Sequence, residues 1–331
     1  MRRALALLAF ALSRPLAAAD TPPVIDRMIE AARTLNYRGH VVQIEGTQAQ
    51  TLHLLHRAGS DAGEDRVYSL QGAYWELQRS GPRCRVALTD TRQAHDEAIV
   101  AAAFPSLVPQ RLARSVQFYD FAPLGAGRFA NRAADFTLAR PRDEFRFALL
   151  LVTDAATGLL LKTGLVDQRG QILRQVFFID LQVLPAVTDA EWQEPTPGAP
   201  APLSWIERTV LPEPVAAEVP WQVGPLPPGF TISGHARRRM PGGDHEVEQI
   251  TLSDGLATVS VFIDPRAAVD KMASGARHVA VMPVYGTAVD GRQITVLGAA
   301  PFPALRQIAA AFAAPKSEIT STVAPPSPSK P

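Results

Sequence analysis

The sequence predicts an α+β protein, with a large curved antiparallel sheet covered by helices and a smaller mixed domain after it. Three observations indicate this fold. Short apolar runs punctuated by glycines recur from residue 39 to residue 183, a proline-rich stretch follows, and two hairpin patterns lie beyond it. Runs of this length and spacing are typical of antiparallel strands joined by turns.

The clearest pattern is a three-stranded meander between Glu144 and Val183. Its three apolar runs are separated at residues 154–158 and 167–170 by Asp and Gly residues, which tolerate the positive φ of tight turns. The first run is apolar on both faces, which indicates a central strand or one that lines an apolar cavity. In the third run we expect one almost wholly apolar face to be buried: Leu173, Gln175, Phe177, Ile179 and Leu181.

Helix signals flank the other strands of the first domain. Apolar residues recur at helical spacing from Pro22 to Leu35, after a proline suited to a first helical turn. Strand-like runs follow at about residues 39–45, 51–57, 66–70, 74–79 and 83–89. The stretch from Phe104 to Tyr119 interrupts them and predicts a second apolar helix stripe of Leu107, Leu112 and Val116.

Residues 1–19 have the pattern of a secretory signal peptide. Arg2 and Arg3 precede a short apolar core, and small residues precede Asp20. The core is well short of the roughly 20 residues that span a bilayer. We therefore expect the mature chain to be exported to the periplasm in soluble form.

The composition argues against nucleic acid as a partner and indicates that packing, and not a disulfide, stabilises the fold. Without the three arginines of the signal peptide, Lys+Arg falls from 33 to 30 against 32 acidic residues, a formal charge of −2. Such a balance gives no electrostatic footprint for nucleic acid. The single cysteine, Cys84, has no partner for an intrachain disulfide, so the fold depends on packing. Cys84 alternates in phase with Val86 and Leu88, and we expect it to be an inert core thiol.

A second domain is predicted after a linker. Residues 185–220 are rich in proline and have few helix or strand patterns, which indicates a stiff, extended linker. Trp192, Trp205 and Trp221 lie in or beside it, and we expect them to dock on a neighbouring domain. Hairpin turns at residues 253–255 and 290–291 and a last helix place the second domain at residues 221–313. Residues 314–331 predict a disordered tail.

The sequence contains no motif for catalysis, cofactor binding or metal binding. It has no G-x-S-x-G elbow, no H-E-x-x-H pair and no phosphate-cradling glycine loop. His53 and His56 should point to opposite faces of a strand, so we expect no shared metal. The basic stretch from His235 to His245 predicts a solvated hairpin loop, with an anionic lipid or an acidic partner as the alternative.

Four blocks carry a family resemblance. They are AARTLNYRGHVV from residue 31, FALLLVTDAATGLLLKTGLVDQRGQILRQVFFIDL from residue 147, SDGLATVSVFIDP from residue 253 and YGTAVDGRQITVLG from residue 285. Together they closely resemble the MucB/RseB family, periplasmic negative regulators of the envelope-stress sigma factor of the sigma-E or AlgU type. The meander by itself also resembles the Lol lipoprotein carriers.

The resemblance implies a fold and a role. The fold would be a LolA/LolB-like half-barrel at residues 20–184 and a smaller mixed α/β domain at residues 221–313. The role would be to bind the periplasmic domain of a membrane-spanning anti-sigma factor of the RseA or MucA type and to shield it from proteases. Lipid or lipopolysaccharide would loosen that complex.

Two groups of site residues follow from this interpretation. An apolar concavity under a curved sheet suits acyl chains, and the candidates to line it are Trp75, Leu77, Cys84, Val86 and Leu88. The predicted contacts with the anti-sigma factor lie on the second domain: Ser253, Asp254, Gly255, Val259 and Phe262.

Other functions are weighed against the regulator. A periplasmic lipid or lipoprotein carrier is the main alternative, although carriers of the Lol type lack a second domain. An enzyme would need convergent polar groups, and none is visible, so we expect neither catalysis nor a cofactor. The sequence leaves open whether the chain forms a homo-oligomer.

Overall fold

The computed structural model describes residues 21–81, 83–88, 104–200, 203–209, 219–239, 245–265, 274–289 and 291–315. The predicted signal peptide and residues 316–331 of the predicted tail lie outside this part of the chain. Within it, no helix is both long enough and apolar enough to cross a membrane.

The first sheet has eleven antiparallel strands and is open, because its two edge strands do not pair with each other. Its order is β11-β5-β4-β3-β2-β1-β10-β9-β8-β7-β6. The strands are β1 Asn36–Glu45, β2 Gln48–Arg57, β3 Glu64–Ser69, β4 Trp75–Ser80, β5 Arg83–Leu88, β6 Tyr119–Phe129, β7 Arg132–Pro141, β8 Ala148–Asp154, β9 Leu160–Val166, β10 Ile172–Leu184 and β11 Trp205–Thr209.

Two helices cover one face of this sheet. Helix α1 (Pro23–Thr34) begins at a proline and buries an apolar stripe that includes Ile25 and Met28. Helix α2 (Val108–Arg114) contributes Leu112, which is fully buried beside Leu107. Both helices share one core with strands from across the sheet. The predicted α+β fold, with a large antiparallel sheet covered by helices, is confirmed.

The predicted meander is present as β8, β9 and β10, but the expected buried face of β10 is wrong. Val176 and Phe178 are buried, whereas Ile179 is 51% exposed. Both faces of β10 carry apolar side chains, and the face with Val176 and Phe178 is the one that packs into the core under the helices. In addition, the pairing of β10 with β1 has a bulge at Ile179, so Leu181 returns to the face of Phe178. Simple alternation across the whole strand could not predict that change.

The segment predicted as a linker contains regular structure, contrary to expectation. Helix α3 (Asp189–Gln193) starts with a capping box between Thr188 and Glu191. Strand β11 pairs with β5 and extends the first sheet. Between them, the buried guanidinium of Arg66 donates to the carbonyls of Trp192 and Glu194, which ties the segment to β3.

The second domain has a six-stranded sheet in the order β13-β14-β15-β18-β17-β16. Both predicted hairpins are confirmed, and helix α4 (Phe302–Ala311) packs against this sheet and buries Leu305 and Ile308. The strands of this domain are β12 Trp221–Val223, β13 Thr231–Arg239, β14 Glu246–Ser253, β15 Thr258–Asp264, β16 Gly275–Val279, β17 Met282–Val289, β18 Arg292–Gly298 and β19 Phe312–Pro315, with β12 and β19 forming a small separate sheet.

The basic stretch of the second domain is an edge strand in part, and not a loop as predicted. Arg237, Arg238 and Arg239 lie on β13, which pairs with β14. Residues 240–244 of that stretch lie outside the described part of the chain. Charged side chains on an edge strand oppose unwanted pairing with other chains.

Candidate functional site

The five residues predicted to line a lipid cavity lie together on two neighbouring strands. We call them the inner cluster: Trp75, Leu77, Cys84, Val86 and Leu88. On β4 and β5, Trp75 pairs with Leu88 and Leu77 pairs with Val86, so these side chains share the face covered by α1 and α2. Four of the five are at most 2% exposed, and Leu88 is half-buried. The structure therefore brings them together as closed core.

One polar atom of the inner cluster has no hydrogen-bond partner within the described residues. The indole Nε1 of Trp75 is buried and has no acceptor among the described residues. An unpaired buried donor costs about 1–3 kcal/mol of stability. An oxygen of a bound molecule, such as an ester carbonyl, would remove that cost.

A groove runs beside Cys84 at the outer end of β4 and β5. It encloses about 260 Å³ and is lined largely by charged and polar residues, with Trp192 at its rim. Arg79, Arg83 and Glu207 contribute to this lining. A groove lined by such residues suits water or ions better than an acyl chain. Burying hydrocarbon against charged groups lowers the free energy little, because those groups lose their hydration.

A buried polar network, which the sequence analysis missed, lies next to the inner cluster. His56 on β2, Asp65 on β3 and Arg79 on β4 are fully buried. Asp65 accepts from His56 Nδ1 at 2.6 Å and from Arg79 Nε at 2.7 Å. The Ser106 hydroxyl donates to Asp65 at 3.1 Å, and His56 Nε2 lies 2.8 Å from the carbonyl of Ala32 on α1. The network joins the sheet to both covering segments.

The geometry of this network does not fit a catalytic triad. Both ring nitrogens of His56 are engaged, one with a backbone carbonyl and one with a carboxylate, so neither is free to act on a substrate. Although burial by itself raises the pKa of Asp65, the neighbouring Arg79 and His56 lower it below its ordinary value. Ser106 donates to the same carboxylate, and His56 Nε2 is occupied. No nucleophile is therefore activated.

His53 and His56, the pair considered for a metal, lie on opposite faces of β2, as predicted. His53 stacks on Tyr68 at 4.8 Å, on the face opposite the buried His56. Burial, with His40 nearby, lowers the pKa of His53 to about 4, so its ring is neutral at neutral pH. Among the described residues, no group of three His, Cys, Asp or Glu side chains could hold a metal ion.

Three of the predicted partner contacts lie at the junction of the two domains. The side chain of Asp254 is fully buried against Arg146 of the first domain, with Nε at 2.8 Å from Oδ2. The backbone carbonyl of Asp254 accepts from Ser115 at 2.8 Å. Ser253 and Gly255 flank it and are half-buried. This turn faces the first domain.

The other two predicted partner contacts lie on β15 with opposite orientations. Val259 is fully buried in the core of the second domain. Phe262 is half-buried and has Gln249 and Thr295 as its cross-strand neighbours, on the face away from α4. Phe262 is therefore the member of this pair whose ring can reach a partner.

A second contact between the domains closes around a small cleft. Phe147 and Leu165 of the first domain face Val281 and Met282 of the second. The cleft holds about 20 Å³, which is room for one water molecule. It is too small for a lipid chain in this arrangement.

The comparison with known proteins decides the family. The model for the MucB/RseB N-terminal domain matches residues 20–196, and that for the MucB/RseB C-terminal domain matches residues 215–313. The chain belongs to the MucB/RseB family.

Named relatives agree with this assignment along nearly the whole chain. The sigma factor AlgU regulatory protein MucB of Pseudomonas aeruginosa is 31% identical, over 88% of this chain and 90% of its own length. The sigma-E factor regulatory protein RseB of Haemophilus influenzae is 24% identical over 86% of this chain and 88% of its own length. These relatives are regulatory proteins by name.

Solved structures of the family have the same architecture. MucB in complex with MucA(peri) matches with a TM-score of 0.68 at 26% identity, over 89% of this chain and 98% of that one. The Pseudomonas aeruginosa MucA/MucB complex matches with a TM-score of 0.66 at 27% identity, over 86% of this chain and 95% of that one. The similarity covers both domains.

We predict that Asp65→Asn destabilises the first domain strongly. Removing the charge leaves Arg79 buried without a counter-ion, and breaking such a pair costs about 3–5 kcal/mol. The matched control is Asp180→Asn, because Asp180 binds His40 in a pair whose side chains are 61% and 43% exposed. An exposed pair contributes about 0–1 kcal/mol. Urea unfolding monitored by circular dichroism measures both.

The same variant should change the response to acid. Because folding lowers the pKa of Asp65, its contribution is present above the unfolded value of about 3.9 and is lost as pH falls through the lower folded value. The acid-induced loss of stability below about pH 4 should therefore be smaller in Asp65→Asn than in wild type. Equal destabilisation by the two Asp→Asn changes would contradict this account of the network.

Proposed function

We propose that the mature chain is a periplasmic regulator that binds the periplasmic segment of a membrane-spanning anti-sigma factor of the MucA or RseA type. By covering that segment it shields the anti-sigma factor from regulated proteolysis. The observation that carries this proposal is the similarity of both domains, in sequence and in arrangement, to MucB in its complexes with MucA. A binding role needs a shaped surface and no reacting groups.

We further propose that the chain acts without turnover. The constellation most similar to a catalytic site is the network of Ser106, His56 and Asp65, and it is closed to solvent and saturated by its own hydrogen bonds. A general base needs a free nitrogen within reach of a substrate proton. The proposed functional units are the first domain at residues 20–184, the connecting segment at 185–220 and the second domain at 221–313.

The inner cluster is our proposed site for lipid, with lipopolysaccharide as the probe. Its support is the large apolar face under α1 and α2 and the indole N–H of Trp75, which has no acceptor in the described part of the chain. In the closed state that face is filled by its own side chains, so an acyl chain must displace a covering helix to enter. A lipid or lipoprotein carrier is the second candidate function, and this same face would serve it.

The proposal predicts direct binding. In an isothermal titration, the chain from Asp20 onward should bind the anti-sigma periplasmic segment from the same bacterium with micromolar or tighter affinity, and added lipopolysaccharide should weaken it. An unrelated periplasmic domain serves as the control ligand. Absence of binding with and without lipopolysaccharide would remove the regulator function and leave the carrier, for which acylated lipoproteins are the next ligands.

On the second domain, Phe262→Ala should weaken that binding by about 30-fold or more, because a half-buried aromatic at the centre of an interface contributes 2 kcal/mol or more. The control is Phe302→Ala, since Phe302 is also half-buried but lies at the start of α4. Titration with the same segment compares the two. If both variants bind as wild type does, Phe262 is not part of the interface.

On the first domain, Leu77→Phe should reduce the effect of lipopolysaccharide on partner binding, because the added ring fills volume that an acyl chain would use. The control is Leu252→Phe in the core of the second domain. Both changes overpack a core at a cost of about 1–3 kcal/mol, so a general loss of stability affects both. A lipid effect that is the same in Leu77→Phe and wild type would exclude the inner cluster.

A further inference from the structure

One arginine joins three separate segments at the domain junction. The side chain of Arg146 is 1% exposed, and its guanidinium donates to Asp143, to the carbonyl of Pro228 and to Asp254. Asp143 belongs to the same loop of the first domain, Pro228 to the stretch between β12 and β13 of the second domain, and Asp254 to the turn between β14 and β15. A planar fork with fixed donor directions holds such partners in one relative position.

Close packing surrounds this arginine. Its guanidinium carbon lies 3.7 Å from the centre of the Phe118 ring and 5.5 Å from that of Phe230. A Cβ at Gly229 would lie 2.6 Å from the Phe118 ring and 2.8 Å from the Arg146 guanidinium, and the φ of Gly229 is +82°. The backbone therefore approaches the ion pair as closely as glycine allows.

The contact is of a kind that can open and close. If the domains were held by apolar surface alone, separating them would expose it to water at a large cost. A buried ion pair costs much desolvation energy to form, and both charges regain water when it opens, so its net stabilisation is small while its geometry is specific. Interfaces between domains of one chain commonly permit such motion.

Helix α2 connects this contact to the inner cluster. Leu112 on α2 is fully buried in the same core as Trp75 and Leu77. Ser115, directly after α2, donates to the backbone of Asp254, and the short helical turn that follows ends at Phe118 under Arg146. A displacement of α2 would therefore move two groups that hold the second domain.

We propose that Arg146 and Asp254 form an interdomain latch, and that α2, through Ser115 and Phe118, couples this latch to the packing of the inner cluster. Closed, the latch holds the two domains in the arrangement that binds the partner. Asp254 thus acts on partner binding by positioning a domain and not by touching the partner. The effect on partner binding rests on the proposed function, whereas the effect on domain arrangement does not.

The first test measures the distance between the domains without any partner. Spin labels are attached at the exposed positions Gln168→Cys and Arg306→Cys, and the buried Cys84 is kept because its removal would alter the inner cluster. Double electron–electron resonance should give a narrow distribution of label-to-label distances for the doubly labelled parent and a broad distribution for Arg146→Met. The matched control is Arg142→Met, because Arg142 binds Asp120 nearby in a pair whose side chains are 54% and 66% exposed. A narrow distribution in Arg146→Met would overturn the latch.

Ser115→Ala provides an independent test in case Arg146→Met does not fold. It removes one hydroxyl bond to Asp254 and leaves both charges in place, so it should broaden the distribution to a smaller extent with unchanged circular dichroism. Unbroadened distances in this folded variant would remove Ser115 from the coupling.

The second test measures affinity for the anti-sigma segment. Arg146→Met should weaken binding by about 5- to 150-fold, the usual range of coupling between sites, while Arg142→Met should not. Wild-type affinity in Arg146→Met would overturn the positioning role. Failure of the wild type itself to bind would instead contradict the proposed function, and the distance measurement would still decide the latch.

The third test addresses the coupling through α2. Leu112→Ala should broaden the interdomain distances in the parent but add little in an Arg146→Met background, because the latch is already open. Leu252→Ala, in the core of the second domain, serves as the control of equal size and should leave the distances unchanged. Equal broadening by Leu112→Ala in both backgrounds would show that α2 acts independently of the latch.

Discussion

A charge can be buried in this protein where an opposite charge and further hydrogen bonds accompany it, and three such sites hold the chain together. Asp65 sits between His56 and Arg79, Glu76 pairs with Arg66, and Asp254 pairs with Arg146. The first two sites lie between neighbouring strands of the large sheet and extend to α1 and to the connecting segment, whereas the third joins the two domains. An isolated buried charge would cost several kcal/mol, so each site permits one arrangement of the elements around it.

Each of the three sites joins different parts of the structure. The Asp65 network fixes α1 and the segment before α2 to the large sheet. The Arg66 site fastens the connecting segment to the outside of the first domain, through Glu76, Thr196 and two backbone carbonyls. The Arg146 site joins the two domains. Apolar packing supplies most of the stabilisation in each domain, while the charges specify which elements meet.

This arrangement suits a binding protein of the MucB/RseB family. The apolar face of the large sheet is closed by two helices of 12 and 7 residues, and the second domain contacts the first at the turn of Asp254, at Pro228 and at a small cleft. Helices this short can move without unfolding the sheet, because the backbone N–H and C=O groups of the strands are hydrogen-bonded to neighbouring strands and not to the helices. Local change at one face can therefore alter the position of a whole domain.

Local periodicity was enough to predict most elements of the fold. Helix α1, the five strands after it, the meander and both hairpins of the second domain follow from spacing and turn residues, which act within a few residues of each other. The inner cluster was also predicted as a group, because alternation on β4 and β5 places its members on one face. The family could be identified from four blocks of sequence.

Tertiary contacts decided the rest. Packing under the helices buried the face of β10 that carries Val176 and Phe178, and Arg66 converted an expected linker into a docked segment. Asp254 had the sequence signature of an exposed turn residue, yet a partner 108 positions away buries it. The sequence by itself determined the elements, the inner cluster and the family, because these depend on local pattern. Only the tertiary structure decided where the buried charges meet, because their pairing depends on strand register and on contacts between distant segments.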